Sequence, residues 1–125
     1  EFDRVVMNPP FYGRHYVKHV RHALEFLKPG GVLGVVEHRA PAGRPLEEQI
    51  ESGYMTEAYV IEQAENAGFE LEANASINAN PADDTEHPAG VWTLPPTLRL
   101  GEENRDRYLR IGESDRMTLR FRKPE

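Results

Sequence analysis

Two consecutive prolines at positions 9 and 10 constrain this chain more than any other feature, because they close the run Asp3-Arg4-Val5-Val6-Met7-Asn8 at its carboxyl end. Proline has no N–H for a sheet ladder, and it holds the residue before it in extended geometry. The run therefore reads as a buried strand that stops at Asn8, and Pro9-Pro10-Phe11 reads as a stiff loop carrying an aromatic ring. Ligands of open α/β sheets bind just outside the carboxyl ends of the strands, so this loop is a candidate site.

The following residues extend the strand into a βαβ unit. Val17, Val20, Leu24 and Leu27 recur at the spacing of one helical stripe. Lys28-Pro29-Gly30-Gly31 supplies a stop and a turn, and Val32 to Val36 is a second continuous apolar strand. Strand, helix and strand joined this closely should be parallel and right-handed. After a Pro, Gly and Ala-rich loop from Ala40 to Pro45, a second helix is expected from about Thr56 to Ala67. Thr56 is its candidate N-cap, Gly68 its C′ residue, and Val60, Ile61 and Ala64 its inward face.

Phe69 to Ile77 alternates, with Phe69, Leu71, Ala73, Ala75 and Ile77 on one side, which predicts a strand with one wet face. Met117 to Arg122 alternates as well and can pair antiparallel with it. Between the two lie residues 78–115, 38 positions holding Pro81, Pro88, Pro95 and Pro96, with a short helix expected around Asn104 to Ile111. Connections this long in compact domains are usually functional or disordered.

Composition narrows the function classes. The 125 residues suit one domain, and the formal charge of −6 opposes non-specific attachment to polyanions. Four bases against one acid between Arg14 and Lys28 keep a phosphate-bearing substrate open beside the Pro-Pro loop. The absence of cysteine excludes disulfides and thiolate metal sites. His15, His19 and His22 share a helix face turned away from the apolar stripe, and no carboxylate joins them, so no metal is expected there. No run approaches the roughly 18 apolar residues of a membrane span, and no signal peptide is recognised, which makes the cytoplasm the default expectation.

The order of these parts resembles the carboxyl half of a class I S-adenosylmethionine-dependent methyltransferase. In that fold a fourth strand ends in a substrate-facing loop, a helix leads to a Lys-Pro-Gly-Gly turn and the fifth strand, and a further helix leads to an antiparallel pair, strands six and seven. The fold class expected from the resemblance is α/β, a partial Rossmann-like methyltransferase fold, forming one incomplete domain over residues 1–125 with an irregular insertion at about 78–115. Asp3 to Leu27 resembles the amino-group methyltransferases, adenine-specific DNA methylases among them, whose signature is Asn/Asp-Pro-Pro-Tyr/Phe. Residues 31–124 resemble instead a group of uncharacterised predicted bacterial methyltransferases, through Gly31-Val32-Leu33-Gly34-Val35-Val36-Glu37-His38-Arg39-Ala40, Ser52-Gly53-Tyr54, Asn80-Pro81-Ala82-Asp83-Asp84 and Gly90-Val91-Trp92-Thr93-Leu94-Pro95-Pro96. In that group the fourth strand ends in a different, histidine-containing loop. One half points to an amino nitrogen, and the other names no substrate.

The chemistry of the loop stands without the family. A planar, conjugated NH₂ group is a poor nucleophile, and acceptors on its two protons, the Asn8 side-chain oxygen and the Pro9 carbonyl, would favour the pyramidal geometry that frees its lone pair. Phe11 could stack on the target ring, and a base in a duplex would first have to be flipped out. His38, at the end of the second strand, is a candidate base or substrate contact, and Tyr54 and Trp92 are candidate pocket walls, although a strand-ending histidine and a small core under a long loop are equally ordinary.

The resemblance implies S-adenosylmethionine as cofactor, with Asn8 as a contact. The Gly-rich turn and acidic residue that chiefly hold it belong to earlier strands of the fold, and Gly30-Gly31-Val32-Leu33-Gly34 opens a strand where a cofactor loop must open a helix. The expectation is a methyltransferase fragment, inactive alone, acting on a small molecule, a nucleic acid or a protein amide. The rival is a non-catalytic α/β binding or interaction module lacking the cofactor half.

Overall fold

A computed structural model describes residues 2–8 and 13–125, and the side chains of residues 13–17 stand outside that description. Four strands form one sheet in the order β1-β2-β4-β3, where β1 is Phe2–Met7, β2 Leu27–His38, β3 Glu70–Ala75 and β4 Arg116–Arg122. β1 and β2 run parallel, joined by α1 (Gly13–Phe26), and β4 lies antiparallel between β2 and β3. The βαβ unit and the terminal antiparallel pair are thus as expected, giving a mixed α/β fold with the strand order of a partial Rossmann-like methyltransferase sheet.

One face of the sheet holds the core. Leu33 and Val35 of β2, with Met117, Leu119 and Phe121 of β4, pack against Val20 and Ala23 of α1 and Val60 and Ala64 of α3 (Glu57–Ala67). Fully burying a side chain of this size contributes about 1.5–3 kcal/mol. α3 has the caps its sequence announces: Thr56 Oγ1 accepts from the Tyr59 amide, and Gly68 adopts a left-handed conformation.

Two expectations are corrected, and one helix was not expected. Lys28-Pro29-Gly30-Gly31 is not a turn ahead of the second strand but an excursion inside β2, between the pairs Phe2↔Leu27 and Arg4↔Val32. The Gly30 amide and the Gly31 carbonyl bond to Lys123 beyond β4, so the ladder holds both sides of the excursion in the sheet. Phe69 to Ile77 does not present one buried face: Phe69 is buried, but Leu71 is 40% exposed and Ile77 80%. The register slips between Leu71 and Ala73, and β3 is an edge strand, so the alternation is broken where it would have continued inward. A further helix, α2 (Leu46–Ser52), follows the Ala40–Pro45 loop, with Pro45 as N-cap, Glu47 and Glu48 in its first turn and a left-handed Gly53 after it. α4 (Arg105–Ile111) is the expected short helix of the long connection, and a 3₁₀ turn spans Gly90–Thr93. Among the described residues no helix is long and apolar enough to cross a membrane.

Candidate functional site

The parallel pairing of β1 and β2 brings their carboxyl ends to one rim. Met7 pairs with Val35, so Asn8 and His38 both lie just beyond this ladder. Asn8 is exposed, and Pro9 and Phe11 lie outside the described residues. The rim of β2 is far more enclosed.

Side chains alternate along β2, which sends Glu37 to the helix-covered side with Leu33 and Val35, and His38 to the other. Glu37 is fully buried, pairs across the ladder with Met117, and has no hydrogen-bond partner for either carboxylate oxygen among the described residues. Loss of solvent pushes its pKa up to about 9, so it is a neutral acid at physiological pH. His38 stands opposite Arg116 of β4, and its Nδ1 is 2.5 Å from Ser114 Oγ. Burial, reinforced by the Arg116 charge, lowers its pKa to about 4, so the imidazole is neutral at pH 7.

Tyr54 is buried behind this pair. The chain after α2 bridges the end of β2, with the Met55 amide donating to the His38 carbonyl and the Ala40 amide to the Met55 carbonyl. The Tyr54 ring meets the His38 ring edge-on at 6.4 Å between centroids. Its hydroxyl donates to Asp83 Oδ2 at 2.8 Å, and burial followed by that hydrogen bond raises its pKa.

Asp83 organises the long connection. Oδ1 accepts from the Thr85 amide and meets His87 Nε2, and Oδ2 accepts from the Tyr54 hydroxyl and the Asp115 amide. Desolvation alone would raise this carboxyl, but these bonds outweigh it and hold its pKa below the usual aspartate value. Arg39 fastens the same connection from below: its guanidinium forks onto both oxygens of Asp115 and reaches Glu57 at the start of α3. Residues 78–115 are therefore irregular in dihedral pattern but tied down at Asn80, Asp83 and Asp115.

Held this way, the connection roofs a cavity of about 240 Å³ at the end of β2, lined by His38, Trp92, Pro95, Pro96, Ser114 and Arg116 among others. Of the residues singled out in the sequence, His38 and Trp92 face one cavity and Tyr54 backs it, while Asn8 is not in its lining. Ser114 and Arg116 were not anticipated, because only the β2–β4 register brings them beside His38.

Asp83, Asp84 and His87 could each present one ligand atom within 4.8 Å of the others. The Asp83 oxygens already carry four hydrogen bonds, which accounts for this group as a loop anchor. Nor do the described residues form a cradle for S-adenosylmethionine. Gly31 and Gly34 lie within β2, where an added Cβ on Gly31 would meet the Lys28 carbonyl at 2.8 Å, so its smallness serves strand packing, while one on Gly34 would make ordinary contact with the Val6 side chain at 3.6 Å.

The sequence matches no protein-family model and no curated protein. Solved structures do match. The crystal structure of the [4+2]-cyclase SpnF is 19% identical with a TM-score of 0.59, over 98% of this chain and 51% of the cyclase. A SAM-dependent methyltransferase from Methanosarcina mazei gives 12% identity and a TM-score of 0.60, over 98% of this chain and 59% of that one. The complex between the Haloferax volcanii Trm112 methyltransferase activator and a methyltransferase gives 19% and 0.53, over 100% and 55%. The fold is methyltransferase-like. This chain spans between half and three-fifths of the length of each match, and at these identities the likeness speaks for the fold alone. One of the three is a cyclase, so the architecture carries more than one chemistry.

Proposed function

We propose that this chain forms the acceptor-binding half of an S-adenosylmethionine-dependent methyltransferase, with its reactive rim at the carboxyl ends of β1 and β2. The observation that carries the reading is the enclosed His38 cavity at that rim, on a sheet whose order is that of the methyltransferase-like matches. The cofactor would supply the methyl group, and this chain's residues would hold the acceptor and move its proton. A neutral His38 can take that proton, with Ser114 orienting the ring from Nδ1. Such a base suits an acceptor that still carries an acidic proton at neutral pH, such as a phenol. Trp92 would wall the acceptor, and buried Tyr54 would hold the His38 ring in place.

Asn8, with the Pro9 carbonyl and Phe11, supports a second version in which the acceptor is an amino nitrogen of a base or an amide. Asn8 itself is exposed at the end of β1. The rival outside enzymology is a non-catalytic α/β binding or interaction module.

The test is label transfer from methyl-tritiated S-adenosylmethionine by the protein expressed from its complete reading frame, offered phenols, carboxylic acids, adenine-containing DNA and glutamine peptides. Transfer that falls in His38→Ala and not in Asn8→Ala supports an acidic acceptor, and the reverse supports the amino version. Absence of both cofactor binding and transfer overturns the enzyme reading.

A further inference from the structure

Trp92 is a wall shared by two cavities, the one at His38 and a larger one of about 410 Å³ between α2 and the long connection. That volume lies within the range of small-molecule sites. Arg44, just ahead of α2, ties the two sides together: its guanidinium donates to Glu86 of the connection at 2.6 Å, and its carbonyl accepts from the Gln49 side chain. Gly90 brings the connection so close to the end of α2 that a Cβ would stand 2.4 Å from the Ser52 carbonyl oxygen. The walls are therefore held at a fixed spacing.

Three glutamates and two arginines line this cavity. Arg44 and Glu86 spend their charges on each other, and the His87 ring is engaged by Asp83. Glu48 and Glu51 of α2 and Arg99 of the connection remain, and among the described residues none of the three side chains takes part in an ion pair or a hydrogen bond. All three are exposed, so their charged groups are within reach of a solute. Arg99 is also held in place, its guanidinium 5.3 Å over the Trp92 ring.

Opposite charges that line one cavity without meeting leave a gap that a ligand carrying both signs would bridge. Residues three apart on a helix stand side by side, and two like charges there repel, so a cation received by Glu48 and Glu51 would relieve a cost already present. The partnerless groups are two negative and one positive. A ligand that answers them carries two cations and one anion.

We propose that this cavity binds a free basic amino acid, its carboxylate on Arg99 and its ammonium and side-chain cation on Glu48 and Glu51. The site is separate from the acceptor cavity, and its occupancy does not depend on methyl transfer.

Because Trp92 borders both cavities, the readout is heat and not fluorescence. Isothermal titration of the protein at neutral pH and low salt uses L-arginine, agmatine, which lacks the carboxylate, and L-citrulline, which lacks the side-chain cation. L-Arginine should bind saturably and about fivefold tighter than either, the scale of one ion pair at an open cavity. Raised salt should weaken it. Arg99→Gln should weaken L-arginine by about fivefold without weakening agmatine, and the double variant Glu48→Gln, Glu51→Gln should weaken both. These side chains are exposed, so the variants should melt with wild type. No saturable heat with L-arginine, agmatine or L-citrulline binding as tightly as L-arginine, or L-arginine affinity unchanged in Arg99→Gln overturns the proposal.

Discussion

The β1–α1 region and the long connection of residues 78–115 meet the same end of the sheet, yet they are held in opposite ways. β1 has the conspicuous sequence, a strand cut by Asn-Pro-Pro, but it is an edge strand with Phe2 56% and Val6 77% exposed. The connection has little periodicity, and its buried Asp83 takes up a hydroxyl, a histidine and two backbone amides. Regular pattern and firm anchoring are separate properties: the first reports dihedral repetition, the second reports where polar groups find partners away from water.

Removing the anchor should give the largest effect. Asp83→Ala leaves Tyr54, His87 and two amides without their acceptor, and urea denaturation should show a loss of about 3–5 kcal/mol, whereas Asn8→Ala, at the exposed end of β1, should stay within about 0.5 kcal/mol. Equal effects would erase the contrast. Next comes Gly90, which sits at φ +62 with the Ser52 carbonyl oxygen only 2.4 Å from where a Cβ would stand. Gly90→Ala must push the connection off α2, and should cost about 1–3 kcal/mol and shift the Trp92 emission.

The strand flanked by both regions supplies a pH signature. Glu37 is protonated in the folded chain between the usual 4.5 and about 9, so in that window the folded state holds the extra proton and stability falls as pH rises, by about 1.4 kcal/mol per unit. His38 acts oppositely: its folded pKa of about 4 against 6.5 makes stability rise with pH between those values and stay level above. The two slopes oppose each other up to about pH 6.5, and above it Glu37 acts alone. Thermal melts should therefore fall from pH 7 to 9, and Glu37→Gln should flatten that fall. An unchanged slope in the variant would contradict the buried neutral acid. The smallest effect belongs to β1, where Val6→Thr should alter stability by no more than about 0.5 kcal/mol in the same melts.

The local signals of the sequence carried through where they depended on neighbours in the chain. Thr56 and Gly68 bracket α3 because capping needs only the residues of one turn. α2 escaped notice although Pro45, Glu47, Glu48 and Gly53 mark it, because seven residues are too few to show a stripe. The exposure of Leu71 goes with an edge position, and Ile77 lies beyond the end of β3 at Ala75, neither of which the alternation encodes. His38 and Trp92 stood out by type and place, but Arg116 and Ser114 became site residues only when β4 was laid antiparallel to β2, 76 residues from His38 in the case of Ser114. Asp83 carried one local clue, the bond from the Thr85 amide two residues on, which is ordinary turn chemistry and says nothing of Tyr54 or Asp115.

The most direct measurement is methyl-transfer turnover of His38→Ala beside wild type, in the protein from its complete reading frame, with cofactor affinity measured on the same samples. If the enclosed end of β2 holds the acceptor, turnover falls by about 10²-fold or more, as for loss of a general base, while the cofactor dissociation constant is unchanged. Full turnover in His38→Ala would contradict the assignment and move the reactive site to the open rim at Asn8.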